Sequence, residues 1–262
     1  MEREEQIIQL LHDIQGVLAY HQVNSIDNFP ASGDLNSFLN TTALQKAVVK
    51  PEASVKPRQK ILSKPRQESG KSNQAALAEI TDDVMRCESC SLSKQQTSVS
   101  AGNGGGSNIR LFIVGHWSSV SEQSTVQAVF GYEEDRMLER MLAAIHLSME
   151  EVFVTNLIKC GVGPDVQPQA EHIEICLSYL QRQIAAAAPE LICTMGMLAT
   201  RALLKHSQPL SRLRGRFYAY PGPDGKDIPL LPTYHPGYLL QNPEMKRATW
   251  SDLQALEKRL KQ

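Results

Sequence analysis

The sequence predicts a three-layer α/β/α sandwich around a central four-stranded parallel sheet, and two patterns carry that prediction. Four short apolar runs, at 109–115, 152–158, 191–196 and 228–234, have the length and continuity of strands buried on both faces. Between and after them lie stretches with helical spacing of apolar residues, at 134–146, 170–187, 197–205 and 243–261. Regular alternation of strand and helix implies a parallel sheet with helices on its faces. Ligands of such folds bind beyond the carboxyl ends of the strands, which is where Gly115, Asn156, Gly196 and His235 fall.

Three segments are expected along the chain. In 1–22, Ile7, Ile8, Leu10, Leu11, Ile14 and Leu18 recur at helical spacing, giving a short amphipathic helix suited to docking on the core or to a protein partner. Residues 23–74 read as a flexible, basic, proline-dotted linker. It contains too few large apolar side chains to offset the entropy of ordering it. Between 46 and 71 there are eight Lys or Arg against two acids, which suits a polyanion such as DNA and equally a solvated tether. Residues 75–262 form the core domain. No apolar run reaches membrane-spanning length, residues 1–9 are too charged for a signal peptide, and no internal repeat is present. A cytoplasmic monomer without membrane attachment is expected.

In a reducing compartment, cysteines are kept for metals or catalysis rather than for disulfides. Cys87 and Cys90 form a C-x-x-C turn, and Cys160 and Cys176 are separated by fifteen residues. Four thiolates brought together make a soft S4 site, for which spacing alone admits Zn(II) or an iron–sulfur cluster. Cys193 lies within an apolar run and reads as a small buried hydrophobe.

From about Cys87 to the C-terminus the chain resembles the iron–sulfur (family 4) uracil-DNA glycosylases. The resemblance rests on C-E-S-C-S-L at 87–92, V-T-N-L-I-K-C at 154–160, the placing of Cys176 after Pro168, S-R-L-R-G-R at 211–216, and L-P-T-Y-H-P-G-Y-L-L at 231–240. It implies a 4Fe–4S cluster on the four cysteines, structural zinc being the alternative. It also implies a DNA substrate, single- or double-stranded, carrying uracil for removal in base excision repair. The first motif departs from the family. After Gly115 the family has glutamate, a small residue, proline and glycine, whereas this chain reads His116-Trp117-Ser118-Ser119, with Glu122 in register. The next element is reduced to Ala128-Val129-Phe130-Gly131, and a one-residue insertion would bring Phe130 to the aromatic position.

Cleaving a base from its sugar requires flipping it into a pocket with an aromatic face, partners for its imide edge, and a donor for the charge that develops on the ring. Phe130 can supply the face, beside Gly115 and His116. Asn156 can pair with the O4/N3 edge, His235 can donate to O2, and Glu122 can position water. Each has a plainer reading: Asn156 as a turn residue, His235 as a satisfied histidine, Glu122 as a solvated acid. Trp117 would block the pocket if turned inward or stack on DNA if turned outward. Arg214, Tyr238 and Leu239, with Leu240, are the expected DNA contacts, the leucines acting as an apolar wedge. The rival to an enzyme is a degenerate relative that binds DNA or a protein without excising a base.

Overall fold

The computed structural model describes residues 70–106, 108–118, 128–163 and 166–262. The expected N-terminal helix at 1–22, the linker up to 69, and Glu122 lie outside the described residues. A first helix, α1 (Gly70–Met85), begins five residues before the expected domain boundary, so 70–74 are helical rather than tether. Its buried positions, Leu77, Ile80 and Val84, recur every three or four residues.

The four anticipated parallel strands are present as β3 (Leu111–Gly115), β4 (Val152–Asn156), β6 (Leu191–Met195) and β8 (Asp227–Thr233). Two short strands not anticipated, β2 (Asn103–Gly104) and β7 (Tyr218–Pro221), pair antiparallel at the margins. The order is therefore β2-β4-β3-β6-β8-β7, six strands rather than four. The margins escape a hydrophobicity reading because β2 is an exposed Asn-Gly pair and β7 alternates between half-buried and exposed residues. A separate two-residue ladder joins β1 (Ser98–Val99) to β5 (Cys160–Gly161), with Val99 opposite Cys160.

Side-chain alternation along each strand assigns the layers. Leu111, Ile113, Val154 and Cys193 face one side, packing on Leu138 and Leu142 of α2 (Tyr132–Ala144) and on Leu253 and Leu256 of the closing helix Lys246–Leu260. Phe112, Val114, Phe153 and Ile192 face the other side. There they meet Leu180 and Ile184 of α3 (Ala170–Ala187), Ala199 and Leu203 of α4 (Met197–Leu204), and Leu77 of α1. This is the three-layer sandwich, with Cys193 fully buried in its core. Two short helices complete the chain order before the closing one: α5 (Leu210–Leu213) and α6 (Pro236–Gln241). The closing helix is α7. Gly115 and Asn156 pair across β3 and β4, which sets both at the carboxyl edge of the sheet.

Candidate active site

Backbone register brings Gly115 and Asn156 side by side, and a close approach explains why the first is glycine. A Cβ on Gly115 would collide with the Phe130 ring and lie 2.6 Å from Asn156 Oδ1. Phe130, and not Val129, therefore faces this point, while Val129 packs into the core. Asp135, in the first turn of α2, holds the preceding turn: its carboxylate accepts from the Val129 N–H (2.8 Å) and the Phe130 N–H (3.0 Å). The Val129 carbonyl in turn accepts from Asn156 Nδ2. That bond sets the amide so that Oδ1 points away from Val129, buried and without a hydrogen-bond partner. Asn156 is 1% exposed.

Beside Phe130, His235 caps α6. Its Nδ1 accepts from the Gly237 N–H at 3.1 Å, which leaves the proton on Nε2. Nε2 is buried and has no partner, and the residue is 6% exposed. Its ring lies 4.7 Å from that of Phe130 and 4.1 Å, edge-on, from that of His116. The site thus presents one unsatisfied donor and one unsatisfied acceptor beside an aromatic ring. Buried polar groups are ordinarily paired, and two exceptions at the carboxyl ends of β4 and β8, flanking one aromatic ring, mark a place built for a ligand.

Both imidazoles are held neutral. Burial pushes His116 down to about 4, and burial together with the nearby His116 ring holds His235 well below the usual histidine range. An unfolded histidine titrates near 6.5, so between about 6.5 and 4 the unfolded chain binds more protons than the folded one. Stability is therefore complete above pH 6.5 and falls as pH drops toward 4, by about 3 kcal/mol for His116 alone. Unfolding midpoints measured between pH 7 and 4.5 should fall, and His116→Phe should flatten that fall. A second expectation follows from the contact at Gly115. Gly115→Ala should cost about 1–3 kcal/mol by overpacking and lower activity by displacing Phe130 and Asn156, as thermal unfolding and turnover would record.

Trp117 is half-buried. It packs against the cluster containing Cys160, Cys176, Leu92, Ile158 and Val162, beside Cys90. Its ring touches His116 edge-on at 4.5 Å, so the departure from the family motif packs between His116 and the cysteine-containing cluster. Burial, and then Cys176, Cys90 and Cys87, push the Cys160 thiol up to about 12, and burial likewise raises Cys176. The four thiols are thus gathered on one flank. Among the described residues, however, no three Cys, His, Asp or Glu side chains stand close enough to hold a single ion. A tetrahedral zinc needs sulfurs about 3.8 Å apart, given Zn–S bonds of about 2.3 Å. An all-sulfur donor set suits the chemistry of an iron–sulfur cluster, in which each iron takes one thiolate.

The expected DNA contacts are partly rearranged. Arg214 is committed internally: it pairs with Asp252 at 2.8 Å, donates to the Ala248 carbonyl, and lies over the Tyr234 ring. Leu239 is 2% exposed and faces the core, whereas Leu240 is 37% exposed and takes the outward position. On a helix, consecutive residues point about 100° apart, so only one of the two can project. Tyr238 is half-buried, its ring tilted against that of Tyr234 at 5.0 Å, and Arg212 and Arg216 are exposed.

Sequence reasoning passed over Asp135 and Lys159. An acidic first helical turn at Glu133, Glu134 and Asp135 was the available signal for the first. The second is an apolar-flanked lysine beside a cysteine, which spacing alone does not interpret.

A model of the uracil DNA glycosylase superfamily matches residues 102–254. The Type-4 uracil-DNA glycosylase of Saccharolobus solfataricus is 31% identical over 186 residues, covering 69% of this chain and 85% of that protein. Those of Archaeoglobus fulgidus and Sulfurisphaera tokodaii are 28% and 25% identical over 185 residues, covering 69% of this chain and 92% and 83% of theirs.

Proposed function

Because the chain belongs to the uracil DNA glycosylase superfamily, we propose that it hydrolyses the bond between uracil and deoxyribose in DNA, an early step of base excision repair. One observation carries the reading: the buried pair of orphaned atoms, His235 Nε2–H and Asn156 Oδ1, beside Phe130. A flipped uracil presents an N3–H to Asn156 Oδ1 and an O2 acceptor to His235, and the second N–H of the Asn156 amide can reach O4. Cytosine offers a bare N3 to that same oxygen, leaving two acceptors opposed, and is rejected.

As the glycosidic bond breaks, its electron pair moves onto the uracil ring and the sugar becomes oxocarbenium-like. The Nε2–H donor stabilises the charge gathering at O2, and water adds to the sugar carbon with loss of a proton. Glu122 is the proposed positioner of that water. Neutrality of His235 suits the task, since its proton is already on the nitrogen that faces the base. Gly115 and His116 complete the proposed pocket. Tyr238 and Leu240, with Arg212 and Arg216, are the proposed DNA face.

Cys87, Cys90, Cys160 and Cys176 are the proposed ligands of a 4Fe–4S cluster. Held there, such a cluster would tie together the segment before β1, the strand β5 and α3, a structural role. Thiols kept for such a centre fit a reducing, cytoplasmic setting, and among the described residues no helix is long and apolar enough to cross a membrane. The experiment is end-labelled, uracil-containing single-stranded DNA incubated with the protein and then treated with alkali. Strand breaks at uracil are expected. Absence of breaks above a His235→Ala control would overturn the reading and favour a degenerate DNA- or protein-binding relative.

A further inference from the structure

Lys159 is 3% exposed, among the most deeply buried charged side chains described. Its ammonium donates to Thr155 Oγ1 (2.8 Å), Gln183 Oε1 (2.6 Å) and the Asn156 carbonyl (2.7 Å). All three acceptors are neutral, and among the described residues no carboxylate pairs with it. A buried ammonium with hydrogen bonds but no counter-charge is strongly disfavoured, so a second charge is expected nearby. The Cys176 sulfur accepts from the Lys159 backbone N–H, so Lys159 meets one of the proposed cluster ligands directly. A protonated thiol supplies no charge, whereas a thiolate bound to an iron centre does.

The same ammonium is also a mechanical hub. It closes the turn from Asn156 to Lys159 at the end of β4. Through Gln183 it reaches α3, where Cys176 sits two turns earlier on the same face. Gln183 Nε2 and Thr155 Oγ1 both donate onward to the Ala101 carbonyl, which ties in the segment between β1 and β2. One side chain therefore touches the strand end carrying the base-reading amide and the helix carrying one cysteine.

We propose that Lys159 is both the counter-charge of the cysteine centre and the positioning residue that couples this centre to Asn156. The proposal rests on the cofactor and site assignments above, and its test separates the three. Lys159→Met removes the charge and the clasp at nearly constant length. Lys159→Arg keeps the charge but replaces a compact ammonium by a planar fork that does not fit the same three acceptors. Gln183→Leu keeps the charge and loosens the clasp.

The reduction potential of the cluster, measured by dye titration of the purified full chain, should become more negative in Lys159→Met and stay near wild type in the other two. The kcat for uracil release should fall about tenfold or more in Lys159→Met and Gln183→Leu, since small displacements of a reading group are costly. KM for DNA should stay within about twofold of wild type, because the binding surface lies elsewhere. A Lys159→Met protein with wild-type potential and kcat overturns the proposal. Should that variant not fold, the other two decide. A shifted potential in Lys159→Arg with unchanged kcat in Gln183→Leu overturns it, and the opposite pair supports it. A wild-type protein inactive on uracil refutes the functional reading alone, the potentials then deciding the role of Lys159. A wild-type protein without an iron–sulfur chromophore overturns the cofactor and this proposal together.

Discussion

Replacing His235 by alanine is expected to lower kcat for uracil release by about 10²–10³-fold, the usual effect of deleting one preorganised donor aimed at developing charge. The expectation derives from the geometry of a single ring. The Gly237 N–H donates to Nδ1, which compels Nε2 to carry the proton, and Nε2 is buried with nothing to donate to. KM for DNA should change little, because the donor acts on charge that is largely absent before the bond stretches. Loss of the α6 cap costs about 1 kcal/mol, a shift of about 2–4 °C in unfolding midpoint, so loss of activity is separable from unfolding. The pH profile should identify the donor further. Since burial holds His235 well below the ordinary histidine range, kcat should stay level as pH falls through 6.5 and decline only in more acidic solution. There Nδ1 takes a proton and confronts the Gly237 N–H. A wild-type decline centred near 6.5 would remove His235 from the role assigned to it. Single-turnover rates with uracil-containing DNA between pH 4.5 and 8.5 provide the measurement.

Cys176→Ser should be the most damaging change for the folded state. Serine is a poor ligand for iron, and the remaining thiols would leave one corner of the centre unheld. The chain around Cys87–Cys90 is held by a C-x-x-C turn, one 3-10 turn at Ser91–Lys94 with Leu92 buried, the Ser91 hydroxyl against His172 at 2.8 Å, and a hydrogen bond between Cys87 and Tyr179. Where metal binding is coupled to folding, losing the site forfeits a large part of the binding free energy. A destabilisation on the order of 4 kcal/mol would lower the midpoint by about 10 °C. Purified wild-type protein should be brown, absorbing near about 400 nm as thiolate-bound iron–sulfur clusters do. Cys176→Ser should be pale, deficient in iron and sulfide, and lower-melting, whereas Cys193→Ser should keep its colour. A Cys176→Ser protein of wild-type colour and midpoint would remove Cys176 from the ligand set.

Much of the fold was readable because burial on both faces leaves an unambiguous trace: the cores of all four parallel strands lie within the expected runs. The margins of the sheet were not readable. β2 and β7 exist because a neighbouring strand offers unpaired backbone, and hydrophobicity does not encode that offer. The pocket was half readable. Gly115, Asn156 and His235 stand at strand ends whose register follows from the fold, but the choice of Phe130 over Val129 required the turn held by Asp135. At the DNA face, Arg214 reads as a phosphate contact until Asp252, sixteen residues into the closing segment after Pro236, is seen to claim it. Leu239 and Leu240 are indistinguishable in sequence, and only the rotation of α6 decides which projects.

By itself the sequence determined the layered α/β/α arrangement, the family to which the chain belongs, and the short list of side chains equipped for chemistry. Those properties reside in local pattern and spacing. Tertiary structure alone decided which atoms are left without partners, where Trp117 turns, and what Lys159 touches. Hydrogen-bond satisfaction is a property of neighbours brought together from distant segments, and no pattern along a single chain specifies it.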